Sequence, residues 1–218
     1  MTTVVEHITA AGLVPVVVLE NASHAAPLAA ALTAGGLPCA EVTFRTAAAV
    51  EAIKIMAEDP DLLLGAGTVL TPHQVEQAVS AGARYVVSPG FSPIVAAACR
   101  DLDIPIVPGV ATATEIQMAL DAGIDVLKFF PAETSGGVPA LKALAAPFGS
   151  VRFLPTGGVS TTNAGDYLRL PSVLAVGGSW MVAPNLISAG RFEDVTRLTR
   201  EAVDLVSTVR GSHVNPSN

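Results

Sequence analysis

Charge is scarce in this chain: 14% of its 218 residues are charged, against about 25% in an average soluble domain, while half are hydrophobic. Basic residues are scarcer still, nine arginines and three lysines without a cluster, and the net charge is −7. That excludes a basic surface for nucleic acid or an anionic membrane, and neither is an expected partner. Cysteine is limited to two residues, Cys39 in "LPCAEV" and Cys99 in "VAAACR". In such apolar settings both read as small buried hydrophobes, which argues against a disulfide framework and for a reducing compartment. The four histidines are far apart and share no ligand spacing, so no metal site is expected. No apolar run approaches the ~18 residues that cross a bilayer. The longest early run, "GLVPVVVLE", follows Glu6 and His7 rather than a basic segment, so no secretory signal is expected there. Two nucleotide fingerprints are also missing. Gly65 and Gly67 of "GAGTVL" lack the third glycine of G-x-G-x-x-G, and no Walker sequence occurs. The surplus of apolar residues therefore belongs in a core and in a subunit interface.

What the chain does have is two alternating periods. Short β-rich runs recur: "VPVVVLE", "CAEVTF", "DLLLGAGT", "RYVVSPG", "IPIVPGV", "VLKFF", "RFLPTGG" and "VLAVGGS". Between them lie stretches such as "APLAAALTAGG", "AAAVEAIKIMAE", "PHQVEQAVSAG", "TATEIQMALDAG" and "VPALKALAAPF". Apolar strands without polar alternation indicate a sheet covered on both faces, and the helices between them indicate parallel βαβ crossovers. Three helices end alike, in "LTAGG", "VSAGA" and "LDAGI", where glycine fits a left-handed C-cap. Eight such units fill 218 residues at about 27 each, compact for a (β/α)8 TIM barrel of ~250. A doubly wound open sheet is the competing α/β reading. The expectation is one TIM-barrel domain over residues 1–210, with "TTVVEHITAAG" as an extra N-terminal helix plugging its bottom. The tail, 211–218, reads as disordered.

In that fold chemistry sits where strands end, at the C-terminal face. Alternation in "AEVTFR" sends Glu41, Thr43 and Arg45 to one face and Val42 and Phe44 to the other. In "VLKFF" the same parity places Val126, Lys128 and Phe130 inward, with Leu127 and Phe129 under helices. An ammonium inside an apolar strand costs several kcal/mol unless it is paired or loses its proton. Further strand ends supply Thr68, Pro89, Gly157, Gly158, Gly177, Gly178 and Ser179. Read singly, each has a plainer meaning. Glu41 and Arg45 could be a structural ion pair, Thr68 a capping hydroxyl, Pro89 a turn residue, Lys128 a buried partner of a carboxylate, and the glycines mere turns. Their coincidence at one face points to a site. "TGGVSTTN" and "GGSW" follow the seventh and eighth strands, where glycine lets backbone N–H groups approach an anion. Ser160, Thr161 and Thr162 are candidate N-caps for the next helix. A phosphorylated small molecule is suggested.

"AEVTFRT", "GAGTVLTP", "VSPG", "IPIVPGV", "LKFFPAE", "VRFLPTGGVS" and "AVGGSW" together resemble the 2-keto-3-deoxy-6-phosphogluconate (KDPG) aldolase family, in order from about residue 8 to residue 206. The resemblance implies a class I (Schiff-base) aldolase without metal or other cofactor. Such an enzyme splits the phosphorylated keto sugar acid into pyruvate and D-glyceraldehyde 3-phosphate, in the cytoplasmic Entner–Doudoroff route, as a homotrimer. It implies Lys128 as the Schiff-base lysine, Glu41 as acid/base and Arg45 as the carboxylate-binding group. Thr68, Pro89 and Phe130 match the pyruvyl surroundings, Thr156 the aldehyde portion, and Gly157, Gly158, Gly178 and Ser179 the phosphate cradle.

At pH 7 fewer than about one free lysine in a thousand carries the nucleophilic lone pair. Apolar neighbours and the Arg45 cation are expected to disfavour the ammonium at Lys128. The nearest alternatives with the same lysine chemistry act on 4-hydroxy-2-oxoglutarate (KHG) or the galactonate epimer. Beyond them stand a phosphosugar isomerase or epimerase, and a non-catalytic sugar-phosphate binding protein.

Overall fold

The computed structural model describes residues 3–211. Of the expected disordered tail, Gly211 closes the last helix, and 212–218 lie outside the described residues. Helix and strand alternate as the two sequence periods require. Helix α1 (Val4–Ala11) leads into β1 (Leu13–Val17), α2 (Ala25–Ala34), β2 (Cys39–Thr43) and α3 (Ala49–Met56). Then come β3 (Leu63–Gly67), α4 (Pro72–Ser80), β4 (Tyr85–Val87), α5 (Pro93–Asp101), β5 (Ile106–Val107) and β6 (Gly109–Val110). The chain continues through α6 (Ala113–Asp121), β7 (Val126–Phe129), α7 (Gly137–Ala145), β8 (Arg152–Pro155), α8 (Ala164–Leu168) and β9 (Val176–Gly178). It closes with α9 (Pro184–Ser188) and α10 (Phe192–Gly211).

Every strand pairing is parallel. The strands form a six-stranded sheet, β5-β4-β3-β2-β1-β9, and a three-stranded sheet, β6-β7-β8. The expected eight strands of one sheet thus give way to nine segments in two sheets among the described residues. The break has a local cause. β5 and β6 are separated only by Pro108, which has no N–H to give a ladder. Its carbonyl still accepts from the Lys128 N–H at 2.8 Å. At the other edge, isolated parallel bridges join Phe153 to Val173 and Thr156 to Gly177, linking β8 towards β9.

The glycine punctuation works as expected. Gly36, Gly82 and Gly123 take φ of 84°, 96° and 77° just beyond α2, α4 and α6, a region costly for other residues. Helix α1 opens with a capping box between Thr3 and Glu6 and buries Ile8. Val5 and Ile8 share a small apolar cavity with Val107, Val126, Leu154 and Leu174, so α1 lies against inward residues of the strands. Leu127 and Phe129 are fully buried on the helix side of β7, as parity required. One hydrophobic core runs from Ile8 to Val209. Each fully buried Phe or Leu in it contributes about 1.5–3 kcal/mol.

Candidate active site

Strands β2 and β7 bring together two groups that are 87 residues apart in sequence. Lys128 Nζ donates to Glu41 Oε1 at 3.3 Å, and the two residues are 5% and 0% exposed. The other carboxylate oxygen, Glu41 Oε2, is buried without a hydrogen-bond partner among the described residues. Leaving a buried acceptor unsatisfied costs about 1–3 kcal/mol, so this oxygen has unused capacity for a hydroxyl or water. The Phe130 ring centroid lies 5.0 Å from Nζ, close enough for a cation–π contact.

Room for the carboxylate comes from β3. The Glu41 side chain lies across Gly67, where any Cβ would collide with its carboxyl group. One layer away, Gly65 leaves room for the ring of Tyr85, whose hydroxyl donates to the Ala40 carbonyl at 3.1 Å. The glycines of "GAG", unfit for a dinucleotide loop, provide the space in which the acid sits.

Arg45 differs from expectation. β2 ends at Thr43, and the Arg45 N–H donates back to the Thr43 carbonyl at 2.8 Å, so the alternation stops before it. Arg45 is exposed at the rim and forms no ion pair among the described residues. The Glu41–Arg45 pair is therefore absent among the described residues. The charge immediately beside the Lys128 amine belongs to the Glu41 carboxylate and not to a second cation.

The remaining predicted residues sit at strand ends. Thr68 follows β3 with φ 57°, a left-handed conformation that is a genuine outlier for a β-branched residue. Such backbone costs about 1–3 kcal/mol and persists where its surroundings over-determine it. Pro89 is half-buried after β4, and its carbonyl occupies the space in front of Gly109. Thr156, 5% exposed, follows β8; its hydroxyl donates to the Leu154 carbonyl at 3.3 Å and faces Gly177. Gly157 and Gly158 take φ of 96° and 81°. Gly178 lies against the Trp180 indole, and Ser179 is exposed beside it.

Asn163, and not Ser160, Thr161 or Thr162, stands at the N-cap position of the five-residue α8, without a capping bond. Its side chain instead spans the loop: Nδ2 donates to the Gly158 carbonyl at 3.1 Å, and Oδ1 accepts from the Ser160 N–H at 2.8 Å.

A family description covering the KDPG and KHG aldolases matches residues 4–198. A 2-dehydro-3-deoxy-phosphogluconate aldolase of Treponema pallidum is 51% identical over 210 residues, covering 96% of this chain and 100% of its own. The chain belongs to this aldolase family. Its members are enzymes that cleave carbon–carbon bonds. Among solved structures, the KDPG aldolase of Zymomonas mobilis with 3-phosphoglycerate is 45% identical, with a TM-score of 0.87 over 93% of this chain and 96% of that one. The KDPG aldolase of Legionella pneumophila, with pyruvate captured as a covalent carbinolamine, is 41% identical, with a TM-score of 0.88 over 92% and 98%. No helix among the described residues of this aldolase is long and apolar enough to cross a membrane.

Sequence reasoning passed over three residues at this mouth: Asn163, Glu133 and Tyr167. Glu133 closes the string "KFFPAE", and Asn163 closes "TGGVSTTN". Tyr167 carries no signal beyond a helical aromatic, and it meets Glu133 across 34 residues.

Proposed function

We propose that this aldolase uses Lys128 as its Schiff-base nucleophile to split 2-dehydro-3-deoxy-6-phosphogluconate into pyruvate and D-glyceraldehyde 3-phosphate. The observation that carries the assignment is the buried Lys128–Glu41 pair at 3.3 Å. Proton transfer from Nζ to Oε1 leaves a neutral amine facing the substrate and a protonated acid beside it. The amine attacks the C2 ketone to give a carbinolamine. Glu41 protonates its hydroxyl, water leaves, and an iminium forms. Loss of the C4 hydroxyl proton to Glu41, directly or through water, breaks the C3–C4 bond. The electron pair moves into the iminium as an enamine, and the phosphorylated aldehyde departs. Protonation at C3 and hydrolysis release pyruvate and the free lysine. The iminium itself is the electron sink, so these steps call for no metal or other cofactor.

Arg45, an exposed cation on the rim, meets the substrate carboxylate with its planar fork. Thr68, Pro89 and Phe130 surround the pyruvyl group, and Thr156 meets the aldehyde portion. Gly157, Gly158, Gly178 and Ser179 take the phosphate through backbone N–H groups and a hydroxyl. The same lysine chemistry accepts KHG, and comparing kcat/KM for the two substrates ranks them. Borohydride added with pyruvate tests the central claim. Reduction is expected to fix one pyruvate-derived adduct at Lys128; an adduct at Lys54 or Lys142, or none, refutes it.

The same reading extends to the whole molecule. The two sheets are one closed eight-stranded barrel whose fifth strand is β5 and β6 interrupted at Pro108, and residues 1–210 are one domain. Helices α4 and α5 flank a groove in which Pro72, Ile94, Ala97 and Leu102 lie beside Glu76 and Asp101, and Ile94 is 68% exposed, which supports a homotrimer. Cys39 and Cys99 are free and buried, their thiols pushed up by burial to about 12 and about 11, in keeping with a reducing cytoplasm.

A further inference from the structure

The loops after β7 and β8 are laced together beyond the ends of their strands. The Thr156 N–H donates to the Phe129 carbonyl at 2.9 Å, the Ala132 N–H to Thr156 at 2.8 Å, and the Glu133 N–H to Gly157 at 3.0 Å. This extended ladder lays the Glu133 side chain over Gly158, where a Cβ would strike its Cβ and Cγ. Glu133 Oε1 then accepts a hydrogen bond from the Tyr167 hydroxyl at 2.5 Å. Tyr167 belongs to α8 and is fully buried. The segment from Gly158 to Tyr167 is thus fastened at its start by the stem of Glu133 and at its end by the carboxylate. Asn163 cross-braces it through the Gly158 carbonyl.

We propose that Glu133 and Tyr167 are positioning residues that hold the Gly157–Gly158 loop ready for a phosphate and so set the preference for a phosphorylated substrate. The inference rests on the phosphate role given above to Gly157, Gly158, Gly178 and Ser179. Backbone donors bind an anion well only when several are aimed together, and a loop that must be ordered by its ligand loses affinity in doing so. Gly158 at φ 81° cannot be fixed by a side chain of its own, so a neighbour has to fix it. Glu133 does this from one side and Tyr167 from the other. Lys128 and Glu41 lie on the strands, outside the fastened segment, so imine formation does not depend on the clasp. Burial, and then the hydrogen bond and charge of Glu133, hold the Tyr167 phenol far above its usual range, so it stays a donor.

The test separates the two ends of the substrate. Trp180 is the only tryptophan, and its indole touches Gly178, so its fluorescence reports on this mouth. Affinities for 3-phosphoglycerate and for glycerate are measured beside the rate of the borohydride-trapped pyruvate adduct, with melting curves as a check on folding. Wild type is expected to prefer 3-phosphoglycerate. Tyr167→Phe should lose about tenfold of that preference, as for a lost hydrogen bond to a charged group, while the adduct forms at the wild-type rate. Glu133→Gln, whose amide oxygen still accepts from Tyr167, should keep most of the preference, and Glu133→Ala should lose it. If wild type shows the preference and both Tyr167→Phe and Glu133→Ala keep it, the clasp is overturned while the phosphate reading stands. Slowing of pyruvate trapping in step with the loss of phosphate affinity also overturns it, in favour of a general structural role. A wild type without the preference overturns both.

Discussion

Lys128 and Glu41 answer each other's burial. Either one alone in this core would be an uncompensated charge; together, in the proposed mechanism, they supply a nucleophile and the group that takes its proton. Breaking a buried pair by removing one partner costs about 3–5 kcal/mol, because the other charge is left without compensation. Lys128→Met should therefore abolish the pyruvate adduct and also lower the urea midpoint, whereas Glu41→Gln/Lys128→Met should recover part of that stability. Equal midpoints for the two variants would show that the residues are not coupled. Glu41→Gln alone keeps the shape of the acid but not its basicity. Imine formation is expected to slow by about 10²–10⁴-fold, with pyruvate affinity changed far less; fast trapping with lost affinity would contradict the assignment. Both residues were legible in the sequence because an isolated charge in an apolar strand is expensive and strand parity is strict. Arg45 was not, because parity holds only as far as the strand, and β2 stops at Thr43.

Helix ends marked by glycine were legible, because a left-handed stop is a local signal; the start of α6 is equally local but was not read. Thr112 and Glu115 form a capping box at α6, with Glu115 Oε2 accepting from the Ala111 N–H at 2.8 Å and from the Thr112 N–H and hydroxyl, each at 2.9 Å. Burial raises the Glu115 carboxyl, but these hydrogen bonds outweigh it and hold the group below its ordinary 4.5. A carboxyl lowered on folding carries fewer protons in the native state than in the unfolded chain. Its stabilisation is full above the ordinary carboxylate range and fades as pH falls through the folded value. Thr112→Ala should cost ~1 kcal/mol at neutral pH. Glu115→Gln should reduce the decline in unfolding free energy between about pH 5 and pH 3, measured by urea titration; an unchanged slope would exclude the contribution. The split of the sheet at Pro108 and the place of Asn163 at the start of α8 were less accessible. Each depends on where neighbouring backbone runs, and not on the residue's own preference.

At the scale of the whole molecule, the groove between α4 and α5 is the face on which the proposed trimer rests. Ile94 on α5 is 68% exposed, the highest among the large exposed hydrophobics of the described residues, and contact with a second copy would remove that surface from water. Ile94→Asp should convert the proposed trimer to monomers in sedimentation equilibrium while leaving the pyruvate adduct intact. A variant that stays trimeric would move the interface elsewhere.

By itself the sequence determined the alternation of strand and helix, the glycine stops, and the burial of a lysine among aromatics. These follow from periodicity and desolvation, which act within a few residues. Tertiary structure alone decided that the lysine's partner is Glu41, that Gly67 makes room for it, and that Tyr167 reaches Glu133. Those contacts join residues separated by 87, 26 and 34 positions; the packing of parallel strands brings the first two within reach, and the placing of α8 beside the loop after β7 brings the third.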